Sequence, residues 1–289
     1  MKIDVVITTS ERPVIVLELV KSLVLNSLID KVIVVDSSSQ DDSRCLLKEY
    51  HSKVLYVFSE RKNQPYQRYL GYTNSTSEIL LFLDDDMEIA ESHFAEMLLQ
   101  TFSDESVGAV AINFKDKYSN TSLSKVPKSV LNNESKVKQM VNWFTGYPSL
   151  KEGVLGRCGV RGRQPLKGGV TQLISGGAFA VLRKNIYLNF NFQLFDLYDK
   201  KVGKGEDVIL GYTIHKIARI YYLSPLLFYH NDNSNSNYSG NREKFARRVI
   251  FSRLYLSLEK SRLDNSNFYL AYLHYHWFVL WRVSGLVLN

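Results

Sequence analysis

Ile79-Leu80-Leu81-Phe82-Leu83-Asp84-Asp85-Asp86 runs five apolar residues directly into three carboxylates. A short, wholly apolar run bounded by polar residues predicts a strand buried on both faces, as in a parallel sheet. Three adjacent carboxylates at its end repel one another. A bound divalent cation relieves that repulsion, because hard cations take carboxylate oxygens; an exposed acidic loop relieves it through water.

The surrounding segments repeat the pattern. Ile3 to Thr8 is β-rich and ends in small polar residues. Pro13 opens a helix to about residue 27, with Leu17, Val20, Leu23 and Val24 at helical spacing. Lys31 to Asp36 is a second strand, followed by a Ser/Asp-rich turn and a helix to about Tyr50. Strands are expected at 54–58, 79–83 and 107–113, with helices at 66–76 and 92–102 between them. Strands alternating with helices predict an α/β fold with a mainly parallel, Rossmann-like sheet flanked by helices. Ligands of such sheets bind outside the carboxyl ends of the strands. Thr8, Thr9, Asp36 and Asp84 to Asp86 should therefore converge on one edge.

Composition narrows the class. The 289 residues are 45% hydrophobic and 22% charged, which excludes wholesale disorder, collagen and coiled coil. Two cysteines, Cys45 and Cys158, exclude a disulfide scaffold and suit a reducing compartment. Met1-Lys2-Ile3-Asp4 has no long apolar run of the kind that opens a signal peptide. The net charge of +7 is unevenly spread. Residues 1–114 carry 10 Lys/Arg against 18 Asp/Glu, residues 115–172 carry 11 against 3, and residues 240–289 carry 8 against 3. The basic stretches suggest either a polyanionic partner, such as phospholipid head groups or a lipid diphosphate, or two solvated faces. Few aromatics stand among the basic residues of 115–172, so the stacking platforms of a nucleic-acid binder are missing from the pattern.

Residues 115–172, rich in Lys, Ser, Asn and Gly, read as a basic insert or lid. Beyond it, β-like runs are expected at 170–175, 178–182, 219–223 and 226–229, with a helix from about Lys184 and another over 208–218. Residues 231–241 read as a polar linker. Residues 1–240 are expected to form the main domain and 241–289 a basic, aromatic helical tail. His274, His276 and Arg282 interrupt the apolar residues of 268–288, so the tail suits a helix lying on a membrane, or on its own domain, better than one spanning it.

Taken in order, these segments resemble the family 2 glycosyltransferases, GT-A fold enzymes that use nucleotide-sugar donors. Their T-x-N-R-P-like opening is matched by Thr9-Ser10-Glu11-Arg12-Pro13, with Ser10 and Glu11 in place of the usual aromatic and Asn. The V-V-D-x-x-S-x-D strand end is matched by Val34 to Asp41. The A-R-N-x-G helix keeps its Arg and Gly in Gln67-Arg68-Tyr69-Leu70-Gly71. The D-x-D motif is matched by Asp84-Asp85-Asp86, the acceptor loop by Ser175-Gly176-Gly177, the E-D pair by Glu206-Asp207 and a following histidine by His230. No Q-x-x-R-W motif of processive synthases is present, which implies addition of a single sugar.

The resemblance implies roles. Thr9, Glu11 and Asp36 would line the nucleotide site, with Arg68, Asp84 and Asp85 contacting the donor or the acidic cluster around it. Asp86 and His230 would hold Mn²⁺ or Mg²⁺ on the diphosphate. Asp207 would be the general base of an inverting transfer, with Glu206 orienting acceptor or base. Gly176 and Gly177 would line the acceptor site. The donor would be a nucleoside-diphosphate sugar, and the acceptor a lipid-linked sugar or surface polysaccharide. The resemblance also implies a cytoplasmic enzyme, peripheral on the inner membrane face through its tail, with no nucleic-acid partner. Two other classes also fit parts of the pattern. One is a non-catalytic nucleotide-sugar or glycan-binding relative; the other is a Mg²⁺-binding, doubly wound signalling module, which would leave Glu206-Asp207 without a role.

Overall fold

The structure is a computed structural model and describes residues 1–117, 136–148, 151–165, 167–231 and 242–287. Its centre is β1 (Ile3–Thr9), every residue of which is buried. Parallel partners lie on both sides, β2 (Ile29–Asp36) and β4 (Ile79–Asp84), and β3 (Val54–Phe58) extends the sheet beyond β2. The alternation of β1 divides the core into two layers. Ile3, Val5 and Ile7 face a cluster with Val16, Leu23 and Phe94, whereas Val6 faces the opposite cluster with Ile33, Phe82 and Ile209.

The helices form where the sequence places their signals. Pro13 sits in the first turn of α1 (Pro13–Val24), where its missing N–H costs nothing. Asn63 caps α3 (Gln64–Thr73), accepting a bond from the Tyr66 N–H at 3.2 Å. A Cβ on Gly71 would stand 2.2 Å from Cγ1 of Val6, so only glycine lets α3 lie this close to β1. On the other layer α4 (Phe94–Phe102) buries Phe94, Ala95, Leu98 and Phe102.

After α4 the sheet becomes mixed. Its order is β3-β2-β1-β4-β8-β6-β9-β5, with β7 alongside β9. Here β6 spans Val107–Asp116 and β9 Arg219–His230, and the two are parallel. Between β4 and β6 lies β8 (Ala178–Leu182), antiparallel to both. A short strand that the sequence pattern does not signal, β5 (Met87–Ile89), pairs antiparallel with the end of β9. Instead of the two short strands expected at 219–229, β9 is continuous. Its pairing register with β6 jumps from Leu223 to Leu226, around Ser224-Pro225, where proline can give no ladder hydrogen bond. The strand expected at 170–175 shrinks to β7 (Gly169–Thr171). The helix expected from Lys184 is a single 3₁₀ turn, Arg183–Asn185, and the next α-helix is α6 (Leu194–Asp199).

α5 (Lys136–Thr145) is helical, and residues 151–165 form a loop closed by the Leu155–Arg161 bridge. Residues 118–135 of the insert, and 232–241 of the linker, lie outside the described residues. The tail folds back as a hairpin of α8 (Arg242–Leu263) and α9 (Phe268–Val287). Leu256 of α8 enters the core layer that holds α7 (Glu206–His215), and Tyr212 donates to Asp264 at 2.7 Å. Ala271, Tyr275 and Phe278 of α9 are buried, and Tyr147 stacks on Phe278 with ring centroids 5.5 Å apart. Of the two resting places expected for the tail, its own domain takes these faces. Among the described residues no helix is long and apolar enough to cross a membrane.

Candidate active site

Register brings the polar strand ends together. Thr8 is level with Asp84, and Thr9 with Asp36, so the carboxyl ends of β1, β2 and β4 form one edge. Asp36 is fully buried there, its Oδ1 accepting from the Ser38 N–H at 2.8 Å and the Ser38 hydroxyl at 2.5 Å. The Tyr56 hydroxyl lies 3.5 Å from its other oxygen. Glu11, in the left-handed region at φ 57°, closes the neighbouring loop: its carboxylate accepts from the Ser39 N–H and from Lys62, both at 2.9 Å. Lys62 and then Ser39 hold the Glu11 carboxyl below the usual range. Gln67, buried beneath this corner, donates to the carbonyls of Thr9 and Val35, both at 2.9 Å.

The three consecutive carboxylates point three ways. Asp84 accepts from Gln64 at 2.7 Å and from Arg68 at 3.0 Å, and burial pushes its pKa up to about 6 against the pull of Arg68. Asp85 turns inward: Thr9 donates to one oxygen at 2.6 Å and Arg12 to the other at 3.1 Å. Asp86 accepts from Arg12 at 3.0 Å through Oδ2. Its Oδ1 is buried and lies 3.2 Å from Nε2 of His230 without hydrogen-bond geometry. Burial raises the Asp86 carboxyl, but His230 and Arg12 outweigh it and hold the group low. The partnership with Asp86 raises His230 to about 9. Nδ1 of His230 lies 3.0 Å from Asp116.

This pair tests the fit of a divalent cation. A buried carboxylate oxygen without a hydrogen bond, beside an imidazole nitrogen, is a suitable two-donor set for Mn²⁺ or Mg²⁺ once the cation displaces the proton that Asp86 holds on the ring. Among the described residues no group of three or more His, Cys, Asp or Glu side chains converges on one point. The donor set fits an open site that a diphosphate and water would complete, not a closed structural one.

On the other side of Asp84 stands Arg68, its side chain only 3% exposed. The guanidinium pairs with Glu206, donates to Asp84, and donates to the Gly176 carbonyl at 2.7 Å. Burial works against its charge, yet Glu206 and Asp84 raise its pKa. Of the two partners the sequence leaves open for Arg68, phosphate or carboxylate, the folded chain supplies carboxylate. Glu206 is also buried and accepts a short hydrogen bond from the Tyr198 hydroxyl. It therefore faces protein partners and positions Arg68 and the start of α7.

Asp207 follows at the opening of α7, behind Gly205 in the left-handed conformation (φ 84°), a position that favours glycine. The Gly176 N–H donates to its Oδ2 at 2.9 Å. Among the described residues no hydrogen bond reaches Oδ1. Burial, and then the neighbouring Glu206, push the Asp207 pKa up to about 6. Gly176 thus bonds Arg68 through its carbonyl and Asp207 through its N–H. Gly177 is packed so closely that a Cβ would meet Met87 at 2.5 Å and Phe114 at 2.7 Å.

The residues expected from the sequence thus share one edge. Arg12, Gln64, Asp116 and Tyr198 belong to it as well. Arg12 stood within a quoted motif, but its span to Asp85 and Asp86 crosses over seventy positions of chain. Local spacing carries no signal for Asp116 or Tyr198.

Comparison with known proteins bears on the fold and the family. The chain is 31% identical over 91 residues to a 4,4'-diaponeurosporenoate glycosyltransferase of Staphylococcus haemolyticus (strain JCSC1435), a match over 30% of this chain and 24% of that protein. It therefore spans about a quarter of that relative's length. The fold is similar to S. aureus TarS 1–349 in complex with UDP-GlcNAc, with a TM-score of 0.54, 17% identity, and coverage of 91% of this chain and 70% of that one. It is also similar to glucosyl-3-phosphoglycerate synthase from Mycobacterium tuberculosis in complex with Mn²⁺, UDP and phosphoglyceric acid, with a TM-score of 0.51, 14% identity, and coverage of 89% and 78%. At these identities the two structures show likeness of fold. Residues 4–162, more than half of the sequence, match the family model described as glycosyl transferase family 2. The chain belongs to glycosyl transferase family 2.

Proposed function

We propose that this protein transfers one glycosyl group from a nucleoside-diphosphate sugar to a hydroxyl acceptor, with inversion at the anomeric carbon. The observation that supports this most is the state of Asp207. One carboxylate oxygen is anchored by the Gly176 N–H, and the other has no hydrogen bond among the described residues, on the edge that also holds Asp86 and His230. Asp207 Oδ1 takes the proton of the acceptor hydroxyl as that oxygen bonds the anomeric carbon. The bond from that carbon to the diphosphate breaks on the opposite face, and the nucleoside diphosphate leaves. Asp86 and His230 would hold Mn²⁺ or Mg²⁺, which when bound offsets charge on the diphosphate. Arg68 and Glu206 keep Gly176 and Asp207 in place. Thr9, Glu11, Asp36, Asp84 and Asp85 shape the donor side, the buried ones by fixing the loops. Gly176 and Gly177 form the floor on the acceptor side.

Thermal unfolding with a panel of nucleoside diphosphates, with and without Mn²⁺, tests the donor site. A ligand at 100 times its dissociation constant adds about 2.7 kcal/mol, a Tm rise of several degrees. One nucleotide should stabilise the wild type with Mn²⁺, and Asp86→Ala should lose that increment. A folded wild type that no nucleotide stabilises would overturn the donor assignment.

The protein is also proposed to rest on an anionic membrane surface, in keeping with lipid-linked acceptors. Val137, Met140 and Trp143 of α5 are 67%, 64% and 68% exposed, and Leu273, Trp277 and Leu280 of α9 are 50%, 47% and 59% exposed. The two stripes meet where Phe144 packs edge-on against Trp277, with ring centroids 5.1 Å apart. An apolar, Trp-bearing face on basic segments suits lipid acyl chains beneath anionic head groups. Deleting the whole tail would remove Leu256 from the core, so surface substitution is the cleaner test. Trp143→Ser/Leu273→Ser/Leu280→Ser, which spares the Phe144–Trp277 contact, should keep the wild-type Tm and lose co-flotation with phosphatidylglycerol–phosphatidylcholine vesicles. Equal flotation of both proteins would refute the face.

A further inference from the structure

Cations from three separate stretches of chain gather around Lys204, near the opening of α7. Arg161 belongs to the loop between α5 and β7, where Leu155 pairs with it in an isolated bridge. Lys204 stands three positions before Asp207, and Arg248 and Arg253 belong to α8. Nε of Arg248 donates to the Gly203 carbonyl at 2.6 Å, next to Lys204, and its guanidinium lies 5.7 Å from the ring centroid of Tyr198, the residue that holds Glu206. A Cβ on Gly159 would stand 1.9 Å from the carbonyl oxygen of Arg253, so the Arg161 loop lies directly against α8. Arg161 and Lys204 open to solvent.

The electrostatics match this placement. Burial, and then Arg248 and Arg161, lower the Lys204 ammonium, while Asp207 pulls the other way. Arg161 and Arg68 are the cations that act on Asp207, whereas His230 and Arg12 are those that act on Asp86. The two positive groups therefore serve opposite sides of the site.

We infer that Arg161, Lys204 and Arg248 form an acceptor subsite for a phosphate group, so that the hydroxyl to be glycosylated belongs to a phosphate-bearing molecule. This rests on the proposed role of Asp207 as base. Several cations on separate arms suit a phosphate, with three oxygens to share, whereas one bidentate arginine already satisfies a carboxylate. The subsite also gives the basic insert and the basic tail one common purpose: each supplies cations to the same place. A soluble phosphoester and a lipid-linked phosphate present the same chemistry.

The test uses the full chain, inorganic tripolyphosphate as the soluble probe, and phosphatidylcholine vesicles doped with phosphatidic acid as the lipid probe. Calorimetry should show tripolyphosphate binding that weakens by roughly 10-fold or more in Arg161→Gln/Lys204→Gln. Asp207→Asn, which removes the adjacent negative charge, should bind it more tightly than wild type. Vesicle binding that falls in the same double variant would assign the phosphate to a lipid; tripolyphosphate binding alone would assign it to a soluble or polymeric acceptor. Unchanged tripolyphosphate binding in the double variant, or no tightening in Asp207→Asn, would overturn the subsite. Mn²⁺-dependent UDP binding that falls in step with tripolyphosphate would assign the cations to the donor instead and overturn it equally. Absence of nucleotide binding in the wild type would count against the transferase proposal alone.

Discussion

Asp207→Asn should lower turnover about 10²- to 10⁴-fold while leaving Mn²⁺-dependent nucleotide binding intact. The amide keeps the acceptor that the Gly176 N–H requires, so the loop between β7 and β8 stays in place. It cannot take a proton from the acceptor hydroxyl. The same substitution should stabilise the fold. In the wild type the folded-state pKa of Asp207 is raised to about 6, first by burial and then by Glu206, above its ordinary value of 3.8. Between those two values the folded state binds more protons than the unfolded state, so stability falls as pH rises through this window. The Tm advantage of Asp207→Asn should accordingly be small near pH 4 and reach a plateau above about pH 6. The wild-type kcat/KM should fall below about pH 6, where the carboxyl holds its proton and cannot act as a base. Nucleoside diphosphate release at several pH values, beside thermal unfolding of both proteins, checks the whole set. A variant that is slow but no more stable would mean that Asp207 is not a desolvated carboxylate. One that is stable and fully active would remove it from the chemistry.

The second large effect belongs to Arg68, and it is a loss of stability. Arg68→Met should cost about 3–5 kcal/mol, the usual result of breaking one side of a buried ion pair. It would leave Glu206, 8% exposed, with the Tyr198 hydroxyl and no cation, and would take from Asp84 one of its two donors. It would also free the Gly176 carbonyl, loosening the peptide that anchors Asp207. Arg68→Met/Glu206→Gln should recover part of the stability, because Glu206 no longer carries an unpaired charge while Asp84 still lacks its cation, but little of the turnover. Urea unfolding of the two single variants and the double gives the coupling energy directly. Additive losses in the double variant would show that Arg68 and Glu206 do not act as a pair.

Much of the site could be read in the sequence, for a definite reason. Parallel strands deliver their carboxyl ends to one edge, so a strand ending in Asp36 and another ending in Asp84 must meet once both pair with β1. The Glu206-Asp207 pair is legible only through the E-D motif of the resemblance; by position alone it is two carboxylates at the start of a helix. What the sequence could not show was which charges face which. Asp84, Asp85 and Asp86 are neighbours in the chain, yet one faces Gln64 and Arg68, one faces Thr9 and Arg12, and one faces Arg12 and His230. Arg68 reads in the sequence as a phosphate ligand as easily as a structural cation; in the folded chain it is buried and pairs with Glu206. The breaks in the strand pattern after residue 115 misled the reading of β7 and β9, because a bulge at Ser224-Pro225 looks locally like the end of a strand.

By itself, the sequence determined the α/β half of the sheet, the edge where the polar residues collect and the family to which the chain belongs. The first two follow from local hydrophobic period and from the fixed direction of parallel strands, the third from the order of the motifs. The tertiary structure decided what those residues do to one another. Antiparallel insertion of β8 leads Gly176 to both Arg68 and Asp207, and pairing of β5 with β9 sets His230 opposite Met87, beside Asp86. The fold of α8 onto α7 brings the cations of the tail to Lys204. Each of these is a contact between residues far apart in the chain, and the composition and spacing of either partner alone carry no record of it.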